Sequence, residues 1–147
     1  CFLLTKQAKL TLNINKKQTF IYRYNIVLIM ADDLIQTFLE EYDGAKEELE
    51  KGRYKNSTIL FSKALFAICD ILIQKKLNKL PKSHSERFRI LEMYFKEVYE
   101  IVDDIFDKYT DSYSKPILKE TCEAIQNGIK KINEIAELPA EIKRVIK

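Results

Sequence analysis

The sequence predicts an all-α protein, an antiparallel bundle of four to five helices around one long central helix. Only three Gly and three Pro occur in 147 residues, so few positions interrupt helices. From Asp32 onward, apolar residues recur at steps of three and four, and no strand-like alternation follows residue 30. A chain of this length that is 46% hydrophobic can bury one core without a metal or a disulfide.

The first predicted helix covers residues 32–51. Asp32 is suited to cap its first turn, and Gly52 follows its last residue, where a left-handed conformation ends many helices. One face of this helix is apolar and consists of Leu34, Phe38, Tyr42, Ala45 and Leu49.

The second predicted helix covers residues 53–79 and is apolar nearly all round between residues 59 and 73, as expected for a helix surrounded by others. Pro81 prevents its continuation. Ser83 and Glu86 have the spacing of a capping box, in which each side chain satisfies the other residue's free amide. The third helix therefore starts here and continues to about Tyr109, with a break near Lys96.

The remaining chain predicts a turn at residues 111–114 and two further helices. Pro116 is suited to the first position of the fourth helix, whose apolar face continues to Ile135. A short helix follows Pro139.

Residues 1–30 differ from the rest in charge. They hold five basic and no acidic residues, whereas the rest holds 20 basic and 22 acidic ones, so bulk charge does not predict a nucleic-acid partner. We expect residues 1–30 to be an extension that is disordered or weakly β, because Leu10, Leu12 and Ile14 alternate with polar residues. We also expect translation to start at Met30 and the helical domain to cover residues 31–147.

The sequence also gives expectations about location and cofactors. The apolar run at residues 26–30 is too short to span a membrane, and no secretory signal is recognisable, so we expect no membrane partner. Three cysteines without metal-ligand spacing favour a reducing cytoplasm, no metal and no cofactor. We expect Cys69 and Cys122 to be buried as small apolar side chains.

His84 and the arginines that follow it are the first candidates for chemistry. His84, Arg87 and the start of their helix could converge on one anion. If the protein were an enzyme, His84, Arg87 and Arg89 would be its catalytic candidates. The alternative is a solvent-exposed His84 with Arg87 paired to an acid of the second helix.

Four other residues are candidates for binding. Lys63 and Asp70 lie seven positions apart on one face of the second helix, and each needs a partner or the edge of the bundle. We expect a structural ion pair such as Asp70 with Arg87, or else a polar cleft at a dimer interface. Tyr109 and Tyr113 could stack on a nucleic-acid base or simply border the core.

Two families resemble this chain. Residues 52–65, from Gly52-Arg53-Tyr54 to Lys63-Ala64-Leu65, resemble the middle of a tetratricopeptide repeat, which would imply a scaffold. Residues 32–135 resemble the HEPN superfamily in the helix at 38–49, the turn before Tyr54, the segment 83–89 and the Tyr-rich turn before the last long helix. The HEPN resemblance implies a small archaeal-type helical protein.

The HEPN resemblance implies a function by association. It implies a homodimer formed through the first two helices. It also implies binding of a partner protein, a nucleotide or RNA. The implied protein partner is a minimal nucleotidyltransferase, as in a toxin-antitoxin pair. Many HEPN proteins are ribonucleases with an Arg four to six residues before a His. The only histidine here is His84, and the nearest upstream arginine is Arg53, so we expect no ribonuclease activity. A divergent ribonuclease that uses His84 and Arg87 is the alternative.

Overall fold

The computed structural model describes residues 16–147, which form six helices and no strand. The predicted all-α helical bundle is therefore confirmed. In chain order the helices are α1 (Lys16–Glu50), α2 (Tyr54–Leu77), α3 (His84–Tyr94), α4 (Lys96–Asp111), α5 (Lys119–Ile135) and α6 (Ala140–Ile146). The chain divides into two units, of which one ends at Asp32 and the other covers Asp33–Lys147.

The expectation for the extension is wrong over residues 16–30. These residues are helical and belong to α1, and Asp32 lies inside that helix instead of capping it. Each residue added to an existing helix gains a backbone hydrogen bond without a new nucleation cost. A strand would need a neighbouring strand to bond with, and residues 16–147 contain none. The alternation at Leu10, Leu12 and Ile14 lies outside the described residues.

The end of α1 agrees with the prediction. Gly52 has a φ of +73°, and its amide donates to the carbonyl of Leu49 at 3.0 Å. The amide of Arg53 reaches back to the carbonyl of Glu48 at 2.8 Å. The chain thus reverses at a left-handed glycine, and Ser57 near the start of α2 donates from its hydroxyl to the carbonyl of Ala45 near the end of α1 at 2.8 Å.

α2 is the central helix. It is unbroken from Tyr54 to Leu77, and Asn78, the residue after it, has a left-handed φ of 54°. Within residues 16–147 it is the one helix long and apolar enough to span a membrane, but 72% of its most apolar stretch is buried in the bundle. That burial is typical of the core helix of a soluble protein; a cytoplasmic location stays a prediction.

Side-chain contacts give the directions of the helices around α2. α5 runs parallel to it, because Thr58 Oγ1 lies 3.3 Å from Cys122 Sγ near the start of both helices. Lys75 approaches Glu137 at 3.8 Å near their ends. α4 runs antiparallel, since its last turn, at Tyr109, packs against Phe66 in the middle of α2, whereas its start, at Val98, lies beside Leu72 nearer the end of α2.

The start of α3 differs in detail from the predicted capping box. Ser83 Oγ accepts a hydrogen bond from the Glu86 amide at 3.1 Å, as predicted. The Glu86 carboxylate, however, accepts from the Lys82 amide at 2.8 Å instead of the Ser83 amide. This contact and Lys79 hold the pKa of Glu86 below its usual range. The predicted break near Lys96 is confirmed, since Phe95 separates α3 from α4.

The last two helices also follow the prediction, with one shift. α5 starts at Lys119 and not at Pro116, and the residue before it, Leu118, has an extended conformation. The short helix after Pro139 is confirmed as α6.

Candidate functional site

Five of the predicted binding residues lie in one cluster where α2, α3 and the end of α4 meet. The cluster is formed by Asp70 of α2, His84 and Arg87 of α3, and Tyr109 and Tyr113 at and after the last turn of α4. We call it the His84 cluster. α2 contributes the middle of the helix, and α3 contributes its first turn.

The predicted pair of Asp70 and Arg87 is confirmed. Arg87 Nε donates to Asp70 Oδ1 at 2.7 Å, and Arg87 Nη2 donates to Asp70 Oδ2 at 3.0 Å. The Arg87 side chain is only 12% exposed, and the Asp70 side chain is 16% exposed. A bidentate contact of this kind fixes both the direction of the guanidinium and its charge balance.

His84 accepts a hydrogen bond from the same arginine. Arg87 Nη1 lies 2.8 Å from His84 Nδ1. Arginine has no acceptor atom, so Nδ1 is the acceptor and the neutral ring carries its proton on Nε2. Burial and the nearby Arg87 charge hold the pKa of His84 below its usual range, although Asp70 opposes them.

Two phenylalanines that the sequence analysis did not single out complete the cluster. The Phe66 ring centroid lies 4.8 Å from that of His84 and 5.2 Å from the guanidinium carbon of Arg87. The Phe106 ring centroid lies 5.3 Å from that of His84. The rings place apolar surface against His84, which explains the desolvation that lowers its pKa. Phe66 lies four positions before Asp70, so helical spacing could have indicated it.

The two tyrosines form the outer part of the cluster. Their hydroxyl oxygens are 3.0 Å apart and their ring centroids 5.5 Å apart. The hydrogen bond to Tyr113 is the main cause that raises the pKa of Tyr109 to about 12. Tyr109 also contacts Phe66 at 5.2 Å, whereas Tyr113 is 58% exposed. Tyr109 thus borders the core, and Tyr113 presents its ring to solvent.

Lys63 and Arg89 are not brought into the cluster. Both are exposed, and neither has an ion pair or hydrogen bond to another described residue. Arg89 follows Arg87 by two positions on α3, so it points to a different side of that helix.

The two described cysteines lie in the core. Cys69 and Cys122 are buried, as predicted, and they form no disulfide with each other. Burial raises the pKa of Cys69 to about 12, so the thiol stays protonated. Between residues 16 and 147, no group of three or more His, Cys, Asp or Glu side chains is arranged to hold a metal ion.

The chemistry of the His84 cluster follows from these contacts. Each nitrogen of the Arg87 guanidinium already donates a hydrogen bond, and Asp70 neutralises its charge. The acceptor nitrogen of His84 is occupied by Arg87. A general base needs a free acceptor atom, and His84 Nδ1 is not free in this arrangement. A residue that holds a phosphate needs an uncompensated positive charge, and the charge of Arg87 is compensated by Asp70.

Comparison of the chain with protein-family models, with curated proteins and with solved structures found no match. The functional argument therefore depends on the residues and the geometry described above.

Proposed function

We propose that the chain is a HEPN-like helical domain that acts by association and not by RNA cleavage. In this proposal it pairs with a second copy of itself and binds a partner protein, a nucleotide or RNA. The observation that carries the proposal is the closed set of contacts among Asp70, Arg87 and His84. Phosphoryl-transfer chemistry at this arginine would have to displace a bidentate carboxylate from it.

The absence of activity is tested with labelled RNA and the wild-type protein. We expect no cleavage above that of a His84→Ala variant, with Lys63→Ala as the control for an exposed charge outside the cluster. Cleavage by the wild type and by Lys63→Ala that is lost in His84→Ala would contradict the proposal. Circular dichroism of each variant separates loss of activity from loss of fold.

A divergent ribonuclease is the second candidate, because His84 and Arg87 are in direct contact at 2.8 Å. The lowered pKa of His84 also favours it, since a neutral imidazole can accept a proton. For this function, Arg87 would have to release both His84 Nδ1 and Asp70. The same cleavage experiment decides between the two candidates.

The proposed dimer is supported by a groove between α1 and α2 of about 410 Å³. Its lining combines the apolar residues Gly44, Ile59 and Leu60 with polar ones that include the ion pair of Glu48 and Arg53, at 3.2 Å. Protein interfaces likewise combine apolar and polar surface.

Light scattering tests this dimer. We expect a mass of about twice 17.3 kDa for the wild type. Ile59→Lys places a charge in the groove and should give the monomer, whereas Leu118→Lys, at a position 67% exposed before α5, should not. A wild type that elutes as a monomer at every concentration, or a dimer that survives Ile59→Lys, would contradict the proposed interface.

The partner class depends on the HEPN resemblance alone. The proposed partner is a minimal nucleotidyltransferase, as in a toxin-antitoxin pair of archaeal type. A nucleotidyltransferase encoded beside this gene should co-elute with the purified protein. The tetratricopeptide interpretation is disfavoured, because α2 continues to Leu77, whereas the second helix of such a repeat is only about 14 residues long.

A further inference from the structure

A cleft of about 630 Å³ lies away from the His84 cluster, where α2 and α5 end and α4 begins. Small-molecule sites in proteins commonly have volumes of about 300–1,000 Å³. The lining of this cleft includes the apolar residues Leu72, Phe95, Val98 and Ile135. Leu72 and Val98 are almost fully buried, whereas Ile135 is 45% exposed. The cleft thus has an apolar floor that belongs to the core and an apolar wall that is open to solvent.

The rim of the cleft carries more positive than negative charge. Three lysines and two glutamates line it: Lys75, Lys76, Lys96, Glu97 and Glu137. Lys75 and Glu137 approach each other at 3.8 Å and largely compensate one another. Neither Lys76 nor Lys96 has an ion-pair partner in the part of the chain that the structure describes. When the negative charge of Glu97 is subtracted from the two positive charges of Lys76 and Lys96, one positive charge on the rim remains uncompensated.

Helix ends at the cleft do not add net positive charge. Phe95 occupies the N-cap position of α4 and provides no side-chain hydrogen bond to the first turn, so the amides there carry a partial positive charge. The carbonyl ends of α2 and α5 line the same cleft and carry partial negative charge, so the excess positive charge of the rim comes from its lysines alone.

We propose that this cleft binds a small amphipathic monoanion, with an apolar body against Leu72, Val98 and Ile135 and one carboxylate near Lys76 and Lys96. The apolar floor excludes a fully polar anion, because such a ligand would leave that surface in contact with water. The single excess charge matches one carboxylate better than a polyanion. This site is independent of the proposed dimer and of the His84 cluster.

Decanoate is the probe for the test, used below its micelle concentration with the full chain. Isothermal titration calorimetry measures its affinity, and amide NMR shifts of Val98 and Ile135 locate it. Decanol and decyltrimethylammonium, with the same chain length, serve as the neutral and cationic comparisons. We expect saturable binding of decanoate and at least tenfold weaker binding of the cation, since the excess rim charge repels it.

Variants test the role of the two lysines. Lys76→Gln combined with Lys96→Gln should weaken decanoate binding about tenfold, because two partly exposed charge contacts are lost. Lys55→Gln combined with Lys143→Gln removes two exposed charges elsewhere and should leave the affinity unchanged. Ile135→Glu should weaken binding further, since it places an acid on the apolar wall.

Three results would overturn the proposal. They are no saturable binding of decanoate, equal binding of decanoate and decyltrimethylammonium, and an affinity unchanged by the paired Lys76 and Lys96 substitutions. NMR shifts confined to residues outside the cleft would overturn it as well.

Discussion

The His84 cluster and the 630 Å³ cleft both place charged side chains over apolar surface, but they balance charge in opposite ways. In the cluster, Arg87 is 12% exposed and bound on both sides by Asp70 and His84. In the cleft, Lys76 and Lys96 are exposed and have no ion-pair partner among the described residues. A buried charge that is compensated by a neighbouring residue has a structural role, whereas an uncompensated charge beside an apolar floor is available to bind a ligand.

Both regions depend on α2. Asp70 lies in the middle of that helix, and Lys76 follows it by six residues, about 9 Å along the helix axis. The first position faces α3 and the second lies near the end of the bundle, where α5 ends and α4 begins. Substitutions in the two regions should therefore differ sharply in their effect on stability.

The largest expected effect is that of Asp70→Asn. This change keeps the shape of the side chain but leaves the Arg87 charge with little solvent and no counter-charge. We expect a loss of about 2–4 kcal/mol in the free energy of unfolding, measured by urea denaturation. Asp70→Leu combined with Arg87→Met should restore most of this loss, because no unpaired charge remains. A loss below about 0.5 kcal/mol for Asp70→Asn, which is typical of surface positions, would contradict a structural role for the pair.

Phe66→Leu should have the next largest effect. Phe66 contacts Arg87, His84 and Tyr109, and its side chain is 7% exposed. Leucine keeps the apolar character but removes the ring contacts, so we expect a loss of about 1–2 kcal/mol. Met93→Leu, at a position 68% exposed on α3, is the control and should leave stability unchanged.

Most of the bundle could be predicted from local patterns. The apolar spacing at residues 34–49 and Gly52 predicted the end of α1, and Pro81 with Ser83 predicted the start of α3. These signals are local because helices are stabilised by neighbours three and four positions apart. The helical state of residues 16–30 did not follow from the alternation at Leu10, Leu12 and Ile14, because that pattern lies before the segment and carries no information about its continuity with the helix that follows.

The candidate site was only partly predictable. The pairing of Asp70 with Arg87 followed from the cost of an unpaired charge in an apolar stretch. The rings around His84 did not follow, since Phe106 reaches it from a separate helix. The cleft was missed for the same reason, because its lining comes from the ends of α2 and α5 and the start of α4, which are distant in sequence.

A smaller effect should appear in the pH dependence of stability. The pKa of His84 is lower in the folded state than its usual value of 6.5. Just below pH 6.5, the unfolded chain therefore binds more protons than the folded one, so His84 opposes folding increasingly as the pH falls through that range. We expect less than about 1 kcal/mol, because the ring is only partly shielded from solvent.

Urea denaturation at a series of pH values tests this expectation with His84→Asn as the comparison, since carboxylates titrate in both proteins. The wild type should lose more stability than the variant as the pH falls from about 7.5 to about 5.5, around the usual histidine pKa. Identical slopes for the two proteins would mean that Arg87 and the rings do not depress the histidine pKa.

The smallest effect should be that of Lys76→Gln combined with Lys96→Gln in the absence of any ligand. Neither ammonium has an ion-pair partner among residues 16–147, and the side chains are exposed, so we expect the free energy of unfolding to stay within about 0.5 kcal/mol of the wild type. Lys76 lies in the last turn of α2, where a cation favours the helix end, and this accounts for a small loss. A loss as large as that of Asp70→Asn would remove the distinction between the two regions. If stability is retained, a weaker affinity for decanoate in the same variant cannot result from unfolding, and it then measures the contribution of the two charges to the cleft.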